Sequence, residues 1–311
     1  MTGALPNLVI AGVGKAGTTS LHWYLSQHPD ICASPVKEIG YFSPLVDATG
    51  SLPPIEDYRD HFSGCGDERY RLEASPQYFH GGRPVIESMQ EVLGSPKVVL
   101  MFRDPVDRLW SQYRFMRSRL AELPAAMTFD GYVARCLEVR RTGEPPSATN
   151  RLYRAVQGGS YAAYLDPWVE AFGEDLRLVF FERMTASPAR ELTDLCAWLG
   201  LEVDVSRISF SVENRTVPVR SRALQRFALA ANSERLLRPR RWLKVPLRRF
   251  YYAVNRRPSP DRMPSETERR LRAEFAPGNR ALAVKVLDLG YRNLPDWLSS
   301  ARKDPAGKAP A

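Results

Sequence analysis

The chain has 311 residues, with 44 Lys+Arg against 35 Asp+Glu and a formal net charge of +9. Hydrophobic residues at 44% and charged residues at 25% exclude a wholly disordered or collagen-like chain and leave ample apolar material for a core. The positive balance points to an anionic partner: nucleic acid, a membrane surface, or a phosphorylated or sulfated small molecule.

The N-terminus has no basic n-region, and the apolar run Leu8 to Val13 is too short for a signal peptide. No apolar stretch is long enough for a transmembrane helix. Cys32, Cys65, Cys136 and Cys196 form no CxxC pair. Their spacings fit neither a zinc site nor a disulfide framework, so four reduced thiols in a cytoplasmic protein are expected.

Asn7 to Ala11 is an apolar run ending in glycines, which predicts a buried strand. Thr18 to Gln27 follows with helical spacing of Leu21, Tyr24 and Leu25, and Pro29 lies just beyond. Asp30 to about Asp67 reads as a loop-rich stretch. Tyr70–Ala74, Lys97–Phe102 and Leu176–Phe181 predict strands; helices are expected from Pro105, over Pro188–Leu199 and over Arg269–Leu289. Strands alternating with helices give an α/β class with a mostly parallel sheet. One domain over residues 1–300 is expected, with a basic aromatic insertion at 235–257 and a flexible tail at 301–311.

The most informative segment is Gly12-Val13-Gly14-Lys15-Ala16-Gly17-Thr18-Thr19-Ser20, between a predicted strand and a predicted helix. A glycine-rich turn there aims backbone N–H groups from a helix N-terminus at an anion. Gly12 and Gly17 have Walker A spacing, but Thr18 stands where the Walker lysine belongs, and Lys15 lies inside the loop. The strongest strand ends in Arg103 rather than an acidic residue, which further disfavours an ATPase or GTPase. Arg103, with Ser111 eight residues later, forms a second anchor suited to phosphate: a planar fork and a hydroxyl.

The pair GxxKAGTTSL and FRDPxxRxxSxY resembles the PAPS-dependent sulfotransferase family, PAPS being 3'-phosphoadenosine 5'-phosphosulfate. Lys37 to Phe42 resembles the KE-x-x-FF segment of its heparan-sulfate branch, and Leu72 to Tyr78 its E-x-SP-x-Y segment. Gly159-Ser160-Tyr161 with Leu165, Trp168 and Phe172, then Phe275 to Asn279 and Leu294 to Trp297, resemble later family segments. The resemblance implies a P-loop-like three-layer sandwich, a central mostly parallel sheet flanked by helices, and no metal. It implies that Lys15, Ala16, Gly17, Thr18, Thr19 and Ser20 bind the 5'-phosphosulfate, Lys15 stabilising the leaving phosphate, and that Arg103 and Ser111 bind the 3'-phosphate. Arg220 and Ser221 fall nearest a third nucleotide-contacting loop.

By the same resemblance Glu38 is the general base. Its bland alternative is an ion-pair partner for Lys37. Glu73 is a second candidate that can instead orient Lys15 or Arg103, His61 is the best alternative base, and His22 reads as packing. Ala74 and Gly40 stand where heparan-type enzymes carry basic or polar residues, so the expected acceptor is a hydroxyl of a small molecule, glycolipid or lipid rather than heparan sulfate. A P-loop-type nucleotide or nucleoside kinase and a nucleic-acid binder are the competing readings. No nucleic-acid motif supports the latter. Arg235 to Arg257 holds nine Lys/Arg and no Asp/Glu, so it accounts for the whole charge excess. With its interleaved aromatics it suits peripheral contact with the inner membrane surface, an acidic or lipid-linked acceptor, or plain solvation.

Overall fold

Continuous apolar runs make strands buried on both faces, and such strands assemble in parallel under covering helices. In the computed structural model, which describes residues 4–46, 50–117, 122–124, 126–145, 147, 150–211 and 262–303, that expectation is met. β1 (Leu8–Gly12), β2 (Ile31–Ala33), β3 (Tyr70–Ala74), β4 (Lys97–Phe102) and β5 (Leu176–Phe180) form one sheet. All pairings are parallel, in the order β2-β3-β1-β4-β5. Central β1 is buried at every residue, with Leu8 level with Leu72 of β3 and Lys97 of β4.

The helices flanking the sheet are amphipathic in the ordinary way. α1 (Thr18–Leu25) follows β1. The stretch expected as loop contains β2 and two short helices, α2 (Ser43–Val46) and α3 (Ile55–Asp60). Elements this short carry too few residues for a periodic signal. α4 (Gly82–Leu93) buries Val85, Ile86 and Met89. α5 (Pro105–Phe115) starts at its proline, α6 spans Phe129–Thr142, and α7 (Ala162–Phe172) buries Leu165, Trp168 and Phe172. α8 (Phe181–Ala186) and α9 (Pro188–Trp198) follow β5. Two further helices cover Ser265–Asp288 and Asp296–Lys303. The expected tail therefore begins inside the last helix, and residues 304–311 lie outside the described residues.

The chain divides into two compact units. Met1–Arg108, Gln157–Asn214 and Arg272–Ala311 make the first, which contains the sheet. Leu109–Val156 and Arg215–Leu271 make the second, where α6 is capped by Thr128 Oγ1 accepting from the Gly131 N–H at 3.1 Å. Inside it Trp110, Tyr113, Phe129 and Tyr132 form an aromatic cluster, with Trp110 edge-on to Phe129 at 4.7 Å.

One expectation is overturned. Cys32 and Cys65 form a disulfide, with Cα atoms 5.7 Å apart, while Cys136 and Cys196 are free and buried. The bridge joins β2 to the turn after α3 across a sequence separation of 33, a closure that spacing along the chain cannot reveal. Among the described residues no helix is long and apolar enough to cross a membrane.

Candidate functional site

Because every strand runs the same way, the five carboxyl ends open at one edge of the sheet. The chain also changes direction there: β3 lies on one side of β1 and β4 on the other. In open α/β sheets such a switch point is where ligands bind.

The glycine loop leaves β1 at this edge. Its Val13 N–H donates to the Met101 carbonyl at 2.9 Å. Lys15 has φ 69, uncommon for a residue with a side chain and typical of functional sites. Gly17 caps α1 with φ 93, and no side chain caps this terminus. A Cβ at Gly17 would lie 2.7 Å from the Phe181 ring, so both backbone and space demand glycine. The first-turn N–H groups of α1, at Thr18, Thr19 and Ser20, have no intrahelical acceptor and carry the positive end of the helix dipole. Ala16 is buried beneath the loop, Thr18 is buried, and Thr19 and Ser20 are half-buried.

Arg103 leaves β4 at the same edge. Its Nη1 donates to the Lys15 carbonyl at 3.2 Å, so the two anchors seen in the sequence are joined. The guanidinium lies 4.4 Å from the Phe181 ring centre. The Tyr161 hydroxyl donates to the Arg103 carbonyl at 2.9 Å and fixes this stretch of backbone. The Arg103 Nε is buried without a hydrogen-bond partner among the described residues. Burial pulls the guanidinium below its ordinary pKa, with Asp107, Glu182, Tyr161 and Asp104 opposing. A desolvated cation with an unmet donor suits a phosphate. Ser111 lies on α5 in the second unit. Arg220, Ser221 and residues 235–257 lie outside the described residues.

The segment after β2 continues along β3 and then turns. Ser34 N–H donates to the Leu72 carbonyl at 3.0 Å and Glu38 N–H to the Ala74 carbonyl at 3.0 Å. Ala74 in turn pairs with Ile10 of β1, so Glu38 is held one strand away from the glycine loop. Glu38 has φ 65 and Gly40 φ 72. The Glu38 side chain is 57% exposed, and its Oε1 accepts from Lys37 Nζ at 2.7 Å. The ion pair weighed against the base is therefore present, and it leaves the carboxylate open to solvent.

Glu73 lies among hydroxyl groups. Its fully buried carboxylate accepts from three hydroxyls: Tyr58, Ser75 (2.7 Å) and Tyr78 (2.7 Å). Burial raises its pKa, and those hydrogen bonds oppose the rise. His61 stands at the C-terminus of α3. His22 on α1 has its pKa lowered to about 4, first by burial and then by the charge of Lys37.

Sequence reasoning missed Phe181 and Tyr58. Phe181 follows an apolar strand and reads as its last residue. Tyr58 lies 15 residues from its partner with no local signal. Gly40 also gains a reason of its own. A Cβ there would meet Ser43 Oγ at 2.7 Å, so its missing side chain follows from the turn and says nothing about the acceptor.

A family profile described as "Sulfotransferase domain" matches residues 5–222. The chain is 28% identical to a bifunctional heparan sulfate N-deacetylase/N-sulfotransferase 4 of Mus musculus over 63% of its own length and 22% of that protein. It is 29% identical to the Mus musculus heparan sulfate glucosamine 3-O-sulfotransferase 3A1, over 64% of this chain and 46% of that one. It thus spans less than half the length of these curated relatives. The crystal structure of a sulfotransferase from Alicyclobacillus acidocaldarius is similar at TM-score 0.55 and 29% identity, covering 76% of this chain and 96% of that chain.

Proposed function

The chain belongs to the sulfotransferase family, and on that premise we propose that it transfers the sulfuryl group of PAPS to a hydroxyl of a small-molecule, glycolipid or lipid acceptor. The observation that carries the donor reading is the tie between Arg103 and the Lys15 carbonyl, which joins two anion-binding elements at one sheet edge without a Walker lysine. The uncapped start of α1 and the unmet Arg103 Nε fit the two phosphate ends of such a molecule.

PAPS supplies a sulfuryl group whose departure leaves negative charge on a phosphate. Positioning and charge stabilisation then make up most of the protein's work. Backbone N–H groups of the loop, with Gly17, Thr18, Thr19 and Ser20, hold the 5'-phosphate. Lys15 neutralises the charge that develops there. Arg103 holds the 3'-phosphate, and Ser111, Arg220 and Ser221 are assigned to the nucleotide by resemblance alone. Glu38 takes the acceptor proton, its exposed carboxylate held in place by its backbone bond to β3.

The acceptor reading is supported by the surface beside Glu38. Pro35 and Val36 are exposed there, whereas Lys37 is only 17% exposed and already paired. These two exposed side chains are apolar, which suits an uncharged acceptor better than a polyanion. The buried Ala74 offers no charge either. The cytoplasmic location is part of the proposal, and the Cys32–Cys65 disulfide, a bond of oxidising compartments, is the observation that weighs against it. In a reducing compartment Cys32 and Cys65 can be alkylated in intact cells, and in an oxidising one they resist.

The test is transfer from sulfur-labelled PAPS to a panel of phenols, sterols, lipid alcohols, glycolipids and desulfated heparan. Label on a small or lipid hydroxyl is the expected result. Label on heparan alone overturns the acceptor reading, and absence of calorimetric binding of the bisphosphate product overturns the donor reading.

A further inference from the structure

The segment carrying Glu38 bends through two left-handed residues, Glu38 at φ 65 and Gly40 at φ 72. A side chain held in that region needs surroundings that over-determine it. Three consecutive residues just past Glu38 supply them, and each leads to the same buried group. The Gly40 N–H donates to Ser75 Oγ at 3.0 Å, and Ser75 Oγ–H donates to Glu73 Oε1 at 2.7 Å. The Phe42 N–H donates to the Tyr78 hydroxyl at 3.3 Å, and that hydroxyl donates to Glu73 Oε1 at 2.7 Å. Tyr41 stacks on Tyr58 at 4.3 Å between ring centres and 5° between planes, and the Tyr58 hydroxyl donates to Glu73 Oε2.

The chemistry of these relays is directional. A hydroxyl has one hydrogen, so Ser75 and Tyr78 can accept from backbone N–H groups and stay satisfied only if their own protons find an acceptor. An ionised carboxylate accepts at both oxygens and donates at neither. An amide of the same shape presents a donor on one side and defeats at least one relay. Glu73, Ser75, Tyr58 and Tyr78 are all buried to 1% exposure or less, so water cannot substitute.

We propose that Glu73 is a positioning residue for the acceptor side of the site: through Ser75, Tyr78 and Tyr58 it fixes residues 40–42 and thereby the placement of Glu38. This rests on the reading of Glu38 as the base. The relays lead to residues 40–42, whereas the glycine loop follows β1 and Arg103 follows β4. The role is therefore in turnover rather than in donor binding.

The experiment compares Glu73→Gln, Glu38→Gln and the double variant, using sulfur-labelled PAPS and the best acceptor of the panel. Glu73→Gln is expected to lower kcat by about tenfold or more, with KM for PAPS and the Kd for its bisphosphate product unchanged. Added to Glu38→Gln it is expected to cost nothing further, because both act through one carboxylate. Hydrogen exchange at the Gly40 and Phe42 amides is expected to quicken, while exchange in residues 13–17 stays as in the native chain. Ser75→Ala and Tyr78→Phe each remove one relay and are expected to show smaller losses of kcat in a folded protein, which covers the case of an unfolded Glu73→Gln.

Native kcat in Glu73→Gln, or in both relay variants, overturns the positioning role. So does an equal loss on the Glu38→Gln background. Native kcat in Glu38→Gln overturns the base assignment itself, a separate outcome.

Discussion

The loop after β1 and the segment after β2 open at the same edge of the sheet, yet they are held in different ways. The first is local. Gly12 to Ser20 folds on a left-handed Lys15, a left-handed Gly17 and the start of α1, with Met101 of β4 and Arg103 just past its end as supports. The second is held almost wholly from a distance, by β3, by Ser75 and Tyr78, by Tyr58 on α3, and by the Cys32–Cys65 bridge. A phosphate can be bound by backbone geometry alone, so its site is written in consecutive residues. An acceptor site needs a side chain aimed at a variable partner, and its supports can come from anywhere in the fold.

This contrast makes the loops respond differently to substitution. The largest effect is expected from Lys15→Ala. It should lower kcat by about 10²–10³-fold, the usual loss of one transition-state charge contact, and leave Tm unchanged. A large fall in Tm would mean that the lysine supports the fold rather than the reaction.

Next comes Cys32→Ser, which acts on the other loop. Opening a closure with a sequence separation of 33 is expected to cost about 3 kcal/mol of stability. Denaturant titration of this variant, or of the native protein with and without reductant, measures it. If the two loops are supported independently, affinity for the bisphosphate product stays native. A loss of nucleotide binding would break the distinction.

The smallest effect concerns pH and an electrostatic link between the two regions. His22 on α1 and His80 after β3 both have pKa values lowered to about 4 by burial, with Lys37 adding to His22 and Arg108 to His80. The folded state refuses protons that the unfolded chain takes up near pH 6.5. Stability from these groups is therefore full above about pH 6.5 and declines as pH falls toward 4. Thermal unfolding across this window is expected to flatten by one proton in His22→Gln. Lys37→Met should raise the His22 titration slightly, read by NMR; no movement would mean that the two loops are electrically separate.

The sequence was enough for β1, β3, β4 and β5, for α1, and for the glycine loop that joins β1 to α1. Each of these is a run of neighbours obeying a local rule: apolar continuity, helical spacing, or glycine where the backbone must turn left-handed. β2 at three residues was too short to register. The disulfide, the Phe181 ring beneath Arg103 and the Tyr58 hydroxyl on Glu73 came only with the tertiary structure. They join residues far apart in the chain, and nothing local distinguishes Tyr58 from any other half-helical tyrosine. Conformational preference is set by neighbours in sequence, and so the glycine loop could be read directly. The partners of a buried carboxylate are set by neighbours in space, and these exist only once β3 lies beside β1.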